Sequence, residues 1–119
     1  YGLHFTIDGY NGSAEKLADV NRMYQFLNTL PEIIGMHKIG FPHIIQFTED
    51  GIAGISGFQF IIESHISMHT YSEQGFLSFD VYSCKRFNTE KVLYALEQIY
   101  DVSDLETNTV VRGTCFPEL

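Results

Sequence analysis

Residues 56–84 read SGFQFIIESHISMHTYSEQGFLSFDVYSC, and their spacing decides the fold. From 65 to 71 the chain alternates. His65, Ser67, His69 and Tyr71 fall on one face, Ile66, Met68 and Thr70 on the other. Ser72-Glu73-Gln74-Gly75 is turn chemistry. Residues 76–84 alternate again, with Leu77, Phe79, Val81 and Ser83 opposite Phe76, Ser78, Asp80, Tyr82 and Cys84. Two half-buried strands joined by a short polar turn make an antiparallel pair. Upstream, residues 58–62 are nearly all apolar and read as a buried strand. Gly54 and Gly57 bracket Ser56 and mark a tight backbone position.

Outward from this segment the other elements follow. GLHFTID, residues 2–8, alternates like a half-buried strand, and Gly9-Tyr10-Asn11-Gly12 reads as a turn. Ser13 can cap a helix over 14–30, with Leu17, Val20, Tyr24 and Leu27 at helical spacing and Pro31 ending it. IIGMHKIG and HIIQF read as strand pieces broken at Gly40-Phe41-Pro42, and Thr48-Glu49-Asp50-Gly51 as a loop or hairpin turn. Asn88 can cap a second helix to about Tyr100, and residues 105–111 form a last strand before the tail TCFPEL. Runs of adjacent strands with only two helices predict an α+β fold. The expected architecture is a two-layer sandwich, with a mostly antiparallel sheet and both helices packed on one face. The other sheet face carries polar and ionisable residues. It can hold a site, and a second copy of the chain can cover it.

At 119 residues the chain is expected to form a single domain, 1–119. A net charge of −8 argues against a nucleic-acid partner, which calls for a basic footprint. No apolar run approaches the roughly 18–20 residues of a membrane span, so no membrane partner is expected. No signal-peptide pattern is visible. The two cysteines, Cys84 and Cys115, lack metal-ligand or CxxC spacing, so a cytoplasmic setting with free thiols and no metal is expected.

Ser64, His69 and Cys84 bring three reactive side chains into one short segment. Ser64 and His69 have opposite parity, so a straight strand would put them on opposite faces. That weakens a hydrolase-like pair. His69 also fits a structural role, and Cys84 at a strand end fits a small buried hydrophobe as well as a catalyst. Residue physics alone stops at an α+β domain with a polar site.

The segment from Gly54 to Phe87 resembles the prokaryotic S-adenosylmethionine decarboxylase proenzymes, the small pyruvoyl-dependent type. Its most specific part is Ser56-Gly57, then Glu63-Ser64-His65, then His69-Thr70, with Cys84 twenty residues after the serine. The resemblance extends to the opening GLHFTIDGY, the GMHKI region and the closing RGTCFPEL. It implies an inactive single chain that cleaves itself. The Ser64 hydroxyl attacks the Glu63 carbonyl, the amide becomes an ester, and β-elimination and hydrolysis leave a pyruvoyl group derived from Ser64. The products are a β chain, 1–63, and an α chain, 64–119. His69 is then the general base of the elimination, and Ser56 supports processing. In the mature reaction the substrate amine forms a Schiff base with the pyruvoyl ketone, which accepts the electrons released with CO2. Cys84 returns a proton to the α-carbon.

The same resemblance implies S-adenosylmethionine as substrate, the aminopropyl donor of spermidine synthesis as product, and a homodimer of processed αβ units. Tyr71 is placed to stack on adenine and Glu73 to accept hydrogen bonds from ribose. Either also fits a simpler role, as a packing aromatic and a solvated turn acid. One position departs from the pattern. Some members carry a stacking aromatic at a fixed distance before the Ser-Gly pair, and here that count lands on Asp50, with Phe47 the nearest aromatic. The altered stretch and the acidic balance keep open a pyruvoyl-dependent decarboxylase of a basic amino acid, arginine or ornithine. A third alternative is an inactive homologue acting as an interaction module. The presence of Ser56, Ser64, His69 and Cys84 argues against it.

Overall fold

The alternation of residues 65–84 holds residue by residue. In a computed structural model, which describes residues 1–117, β4 (Ser64–Tyr71) and β5 (Phe76–Ser83) form an antiparallel pair in which His65 faces Tyr82 and His69 faces Ser78. The chain runs β1 (Gly2–Tyr10), α1 (Ala14–Leu17), α2 (Val20–Ile33), β2 (His37–Glu49) and β3 (Ile52–Ile62) into that pair. α3 (Thr89–Ile99) and β6 (Ser103–Arg112) follow it. The six strands make one antiparallel sheet in the order β2-β3-β4-β5-β1-β6. The α+β expectation is met. Glu118 and Leu119, the end of the expected tail, lie outside the described residues.

The helices cover one face of the sheet. Met23, Phe26, Leu27 and Leu30 of α2, and Val92 and Leu96 of α3, are buried with Phe5, Ile7, Ile66, Met68, Phe79 and Val81 from the strands. Burial of that apolar face is what holds the two layers together. Among the described residues no helix is long and apolar enough to cross a membrane.

Three local expectations need correction. The helix expected over 14–30 is two helices. Ser13 caps α1, as expected, but Asp19 starts a new helix by accepting a hydrogen bond from the Arg22 amide at 3.1 Å. Pro31 lies inside the last turn of α2, where its missing N–H removes only one ladder bond. β2 runs unbroken through Gly40-Phe41-Pro42 with a register shift between Ile39 and His43, Gly40 adopting a positive φ of 69°. Residues 58–62 are not a uniformly buried run. Gln59 and Ile61 point into the core, while Phe58, Phe60 and Ile62 emerge on the open face. The apolar content on both faces concealed this alternation, because the open face of β3 is itself apolar.

Gly57 explains part of the Ser-Gly pair. A Cβ there would stand 2.6 Å from Ile44 Cδ1, 2.8 Å from Leu27 Cδ1 and 2.9 Å from Met23 Sδ. The missing side chain lets α2 settle onto β3 directly beneath Ser56. Gly57→Ala is expected to cost about 1–3 kcal/mol, as overpacking does in a filled core. A lower urea midpoint at unchanged slope would show it; an unchanged midpoint would mean that this contact is loose.

Candidate active site

Two groups of side chains stand apart on the sheet. The β3–β4 register sets Ser56 directly opposite His69, and Ser56 Oγ and His69 Nδ1 lie 2.7 Å apart. Both residues point to the face without helices, beside a cavity of about 180 Å³ lined by His43, Ile45, Phe58 and Ser67. Such a pair can pass a proton between hydroxyl and imidazole. One step further along β4, Tyr71 meets Phe47 edge to face, ring centres 6.1 Å apart. The Phe47 ring lies over Gly54, where a Cβ would fall 2.5 Å from its Cζ. Asp50 is a turn residue, and its φ of 52° with 76° at Gly51 closes the β2–β3 hairpin. Phe47, three residues before Asp50, is the aromatic that stands beside Tyr71. Glu73 is exposed in the β4–β5 turn, and no hydrogen bond ties it to the pair.

The second group surrounds residues 63–64. Ile61 pairs with Ser64, so Ile62 and Glu63 make a tight turn and Ser64 opens β4. Ser64 also pairs with Ser83, which places Cys84 one residue from that partner. Ser83 and Ile61 are buried on the helix side, and Ser64, half-buried, shares their parity. Tyr1, a residue the sequence did not single out, ties this end together. Its hydroxyl donates to Glu63 Oε2 at 3.3 Å, and its side chain stands beside Cys84. Its pKa is pushed up to about 12, first by the hydrogen bond to Cys84, then by lost hydration and by the nearby charges of Cys84 and Glu63. Tyr1 therefore stays protonated and remains a donor at neutral pH. Its ring stacks on Phe116 at 4.2 Å. Tyr1, Gly2, Cys84 and Phe87 line a cavity of about 170 Å³. A Cβ on Gly2 would stand 3.0 Å from Tyr82 Cε1 and Oη, so glycine lets the Tyr82 ring pack against β1 here.

The two groups do not meet within one chain. Five residues of continuous strand separate Ser64 from His69, about 16 Å at roughly 3.3 Å per residue. The parity expected from the sequence is observed.

Between the two groups lies a cluster the sequence reading missed. Asp80 Oδ2 is 2.7 Å from His4 Nε2 and 3.3 Å from His65 Nε2, while the Ser67 hydroxyl donates to Asp80 Oδ1. Both imidazoles lean on Tyr82, with ring centres at 5.5 and 6.0 Å. Alternation placed Asp80, His65 and Ser67 on one face, but the β1–β5 pairing that brings in His4 has no local signal.

Known proteins give a consistent picture. The family model described as S-adenosylmethionine decarboxylase matches residues 3–113. An S-adenosylmethionine decarboxylase proenzyme from Thermoplasma acidophilum is 30% identical over 119 residues, covering 98% of this chain and 87% of that protein. Another from Persephonella marina is 32% identical over 116 residues, covering 95% and 83%. The crystal structure of the adenosylmethionine decarboxylase from Aquifex aeolicus superposes with a TM-score of 0.80 at 28% identity, over 99% of this chain and 95% of that one. With a family model spanning nearly its whole length and relatives matched end to end, this chain belongs to the S-adenosylmethionine decarboxylase family.

Proposed function

We propose that the chain is a proenzyme that cleaves itself between Glu63 and Ser64 and then removes CO2 from S-adenosylmethionine. The observation that carries this reading is the position of Cys84, one residue from the strand partner of Ser64 and lining one cavity with Tyr1, whose hydroxyl donates to Glu63. The precursor of an electrophilic group, its scissile neighbour and a proton donor are thereby gathered at one strand end.

Each residue then has a task. The Ser64 hydroxyl attacks the Glu63 carbonyl and the peptide bond gives way to an ester. His69 takes the proton from the Ser64 α-carbon as the ester oxygen leaves. The Ser56 hydroxyl, 2.7 Å away, fixes which imidazole nitrogen is free to do so. The pyruvoyl group derived from Ser64 would supply a carbonyl that engages the substrate amine and draws off the electron pair released with CO2; no metal enters this scheme. Cys84 delivers a proton to the substrate α-carbon, and Tyr1 holds the thiol in place.

His69 lies about 16 Å along the strand from Ser64, so it must come from a second copy. The open face supports a homodimer of processed αβ units. Ile45, Phe60 and Ile62 are each more than half exposed there, which leaves an apolar stripe on β2 and β3. A two-fold partner on this face would bring a second Ser56–His69 pair, and the scheme requires that pair to reach the edge of the sheet at the 63–64 junction. The Phe47–Tyr71 pair, next to His69, then offers a flat apolar face to adenine. Glu73, in the adjoining turn, is assigned to the ribose hydroxyls. Cys84 and Cys115 are free thiols, which supports a cytoplasmic setting.

The alternative substrate, arginine or ornithine, rested on the altered stretch before Ser56 and on the acidic balance. Phe47 beside Tyr71 weakens the first of these grounds. CO2 release from S-adenosylmethionine, arginine and ornithine, assayed side by side on processed protein, is expected only with the first. Release from an amino acid alone would reverse the assignment.

A further inference from the structure

We propose that Asp80 is a positioning residue that ties down the chain end created by self-cleavage, holding it through His65 and anchoring it to His4. The inference rests on cleavage at Glu63-Ser64 and goes beyond it. Cleavage turns the first residue of β4 into a chain terminus. Terminal residues fray unless something holds them, and residue 64 is where the reacting group must sit. Strand pairing with β3 and β5 gives it backbone support. His65 is the next residue, and it is the first side chain in the new terminus with an anchor.

The anchor is unusually well placed. His65 Nε2 lies 3.3 Å from Asp80 Oδ2, and its ring rests on Tyr82. Ser67, two residues on and on the same face, donates to the other carboxylate oxygen. Asp80 thus holds two side chains of the first four residues of β4. Its third partner is His4, at 2.7 Å. His4 belongs to the fragment before the cut, while His65, Ser67 and Asp80 belong to the fragment after it. The carboxylate therefore bridges the two products of cleavage. His4 Nε2 lies within hydrogen-bond distance of Asp80 Oδ2 and His65 Nε2 approaches the same oxygen, so both rings are held against one carboxylate. Asp80 is largely buried, with a fifth of its side chain exposed, so these contacts face limited competition from water.

The consequence is specific to the processed enzyme. Before cleavage, Glu63 and the covalent hairpin hold residue 64 in register whatever Asp80 does. After cleavage, loss of the carboxylate frees the terminus to leave its place beside Cys84. A displacement of about 1 Å at a reacting centre costs on the order of a hundredfold in rate.

Asp80→Asn is the test, read in two backgrounds, with His65→Gln as the second variant should Asp80→Asn fold poorly. Intact mass first establishes that the wild type is cleaved; an uncut wild type sinks the processing assignment, and this proposal with it. In cleaved protein, either variant is expected to lower kcat by roughly ten- to a hundredfold with KM changed less than about threefold. Amide exchange over residues 65–68 should rise in step. In the uncleavable Ser64→Ala chain, Asp80→Asn should leave exchange at those amides near its parent's value. Two results overturn the assignment while leaving self-processing intact. One is normal kcat and exchange in the cleaved variants. The other is equal loosening in cleaved and uncleavable chains, which marks a structural contact with no tie to the new terminus.

Discussion

Ser64→Ala is expected to leave a single chain of 13.6 kDa after long incubation, with no release of CO2 from S-adenosylmethionine. The substitution removes the hydroxyl that attacks the Glu63 carbonyl, so neither the acyl shift nor the elimination has a starting point. The fold should survive. Ser64 is half-buried at the start of a strand, makes no side-chain hydrogen bond among the described residues, and alanine fits the same backbone. Loss of activity therefore cannot be charged to unfolding, and a circular-dichroism spectrum matching the wild type would confirm that. Cys84→Ala separates the two stages. It should cleave into the two fragments, then turn over roughly 10²- to 10⁴-fold more slowly, the range a positioned proton donor commands. The order of events is thus open to test. On the proposed scheme Ser64 is consumed before turnover, and Cys84 acts only after it. Cleavage of Ser64→Ala would move the junction elsewhere. Normal turnover of Cys84→Ala would return that residue to the small buried hydrophobe its position first suggested.

Local pattern made much of this legible, and long-range pairing concealed the rest. Period-two alternation over 65–84 sorted His65, Ser67, His69 and Asp80 onto one face, because strand parity depends only on the neighbouring residues. Opposite parity for Ser64 and His69 was readable for the same reason, and it correctly weakened a hydrolase-like pair. The catalytic roles themselves came from resemblance, since nothing in spacing alone distinguishes Ser64 from other serines. Pairing of β1 between β5 and β6 is a tertiary choice without a sequence signal, so His4 and Tyr1 went unnoticed until strand order was known. Phe47 illustrates a third case. Counting residues back from Ser56 lands on a turn aspartate, yet Gly54, having no side chain, lets the Phe47 ring lie across it toward Tyr71. A ring three positions away in sequence can fill a place that the linear count leaves empty. β3 failed as a buried strand because its outward Phe58, Phe60 and Ile62 are as apolar as its inward residues. That error is itself informative, for an apolar outward face on a sheet without covering helices calls for a partner.

A shared site makes a second strong prediction. His69→Ala and Ser64→Ala chains should each remain uncut when prepared alone. The first lacks the base and the second lacks the hydroxyl. Refolded together, they should yield cleaved His69→Ala chain, because in a mixed dimer its intact Ser64 faces the intact His69 of the other copy. With random mixing at equal amounts, about half of the His69→Ala chains sit in mixed dimers, which bounds the cleaved fraction. The Ser64→Ala chain should stay whole in the same sample, and intact mass distinguishes the two. The physical ground is the rigidity of β4. A strand paired on both sides along residues 64–70 cannot fold back to bring its own His69 across about 16 Å to residue 64. The alternative is a base supplied within the chain, and that requires β4 to open. It predicts no cleavage in the mixture and some slow cleavage in a monomer-forcing variant such as Phe60→Lys, placed in the apolar stripe. The shared-site account predicts the reverse for both, since Phe60→Lys should block dimer formation and leave otherwise intact chains uncut.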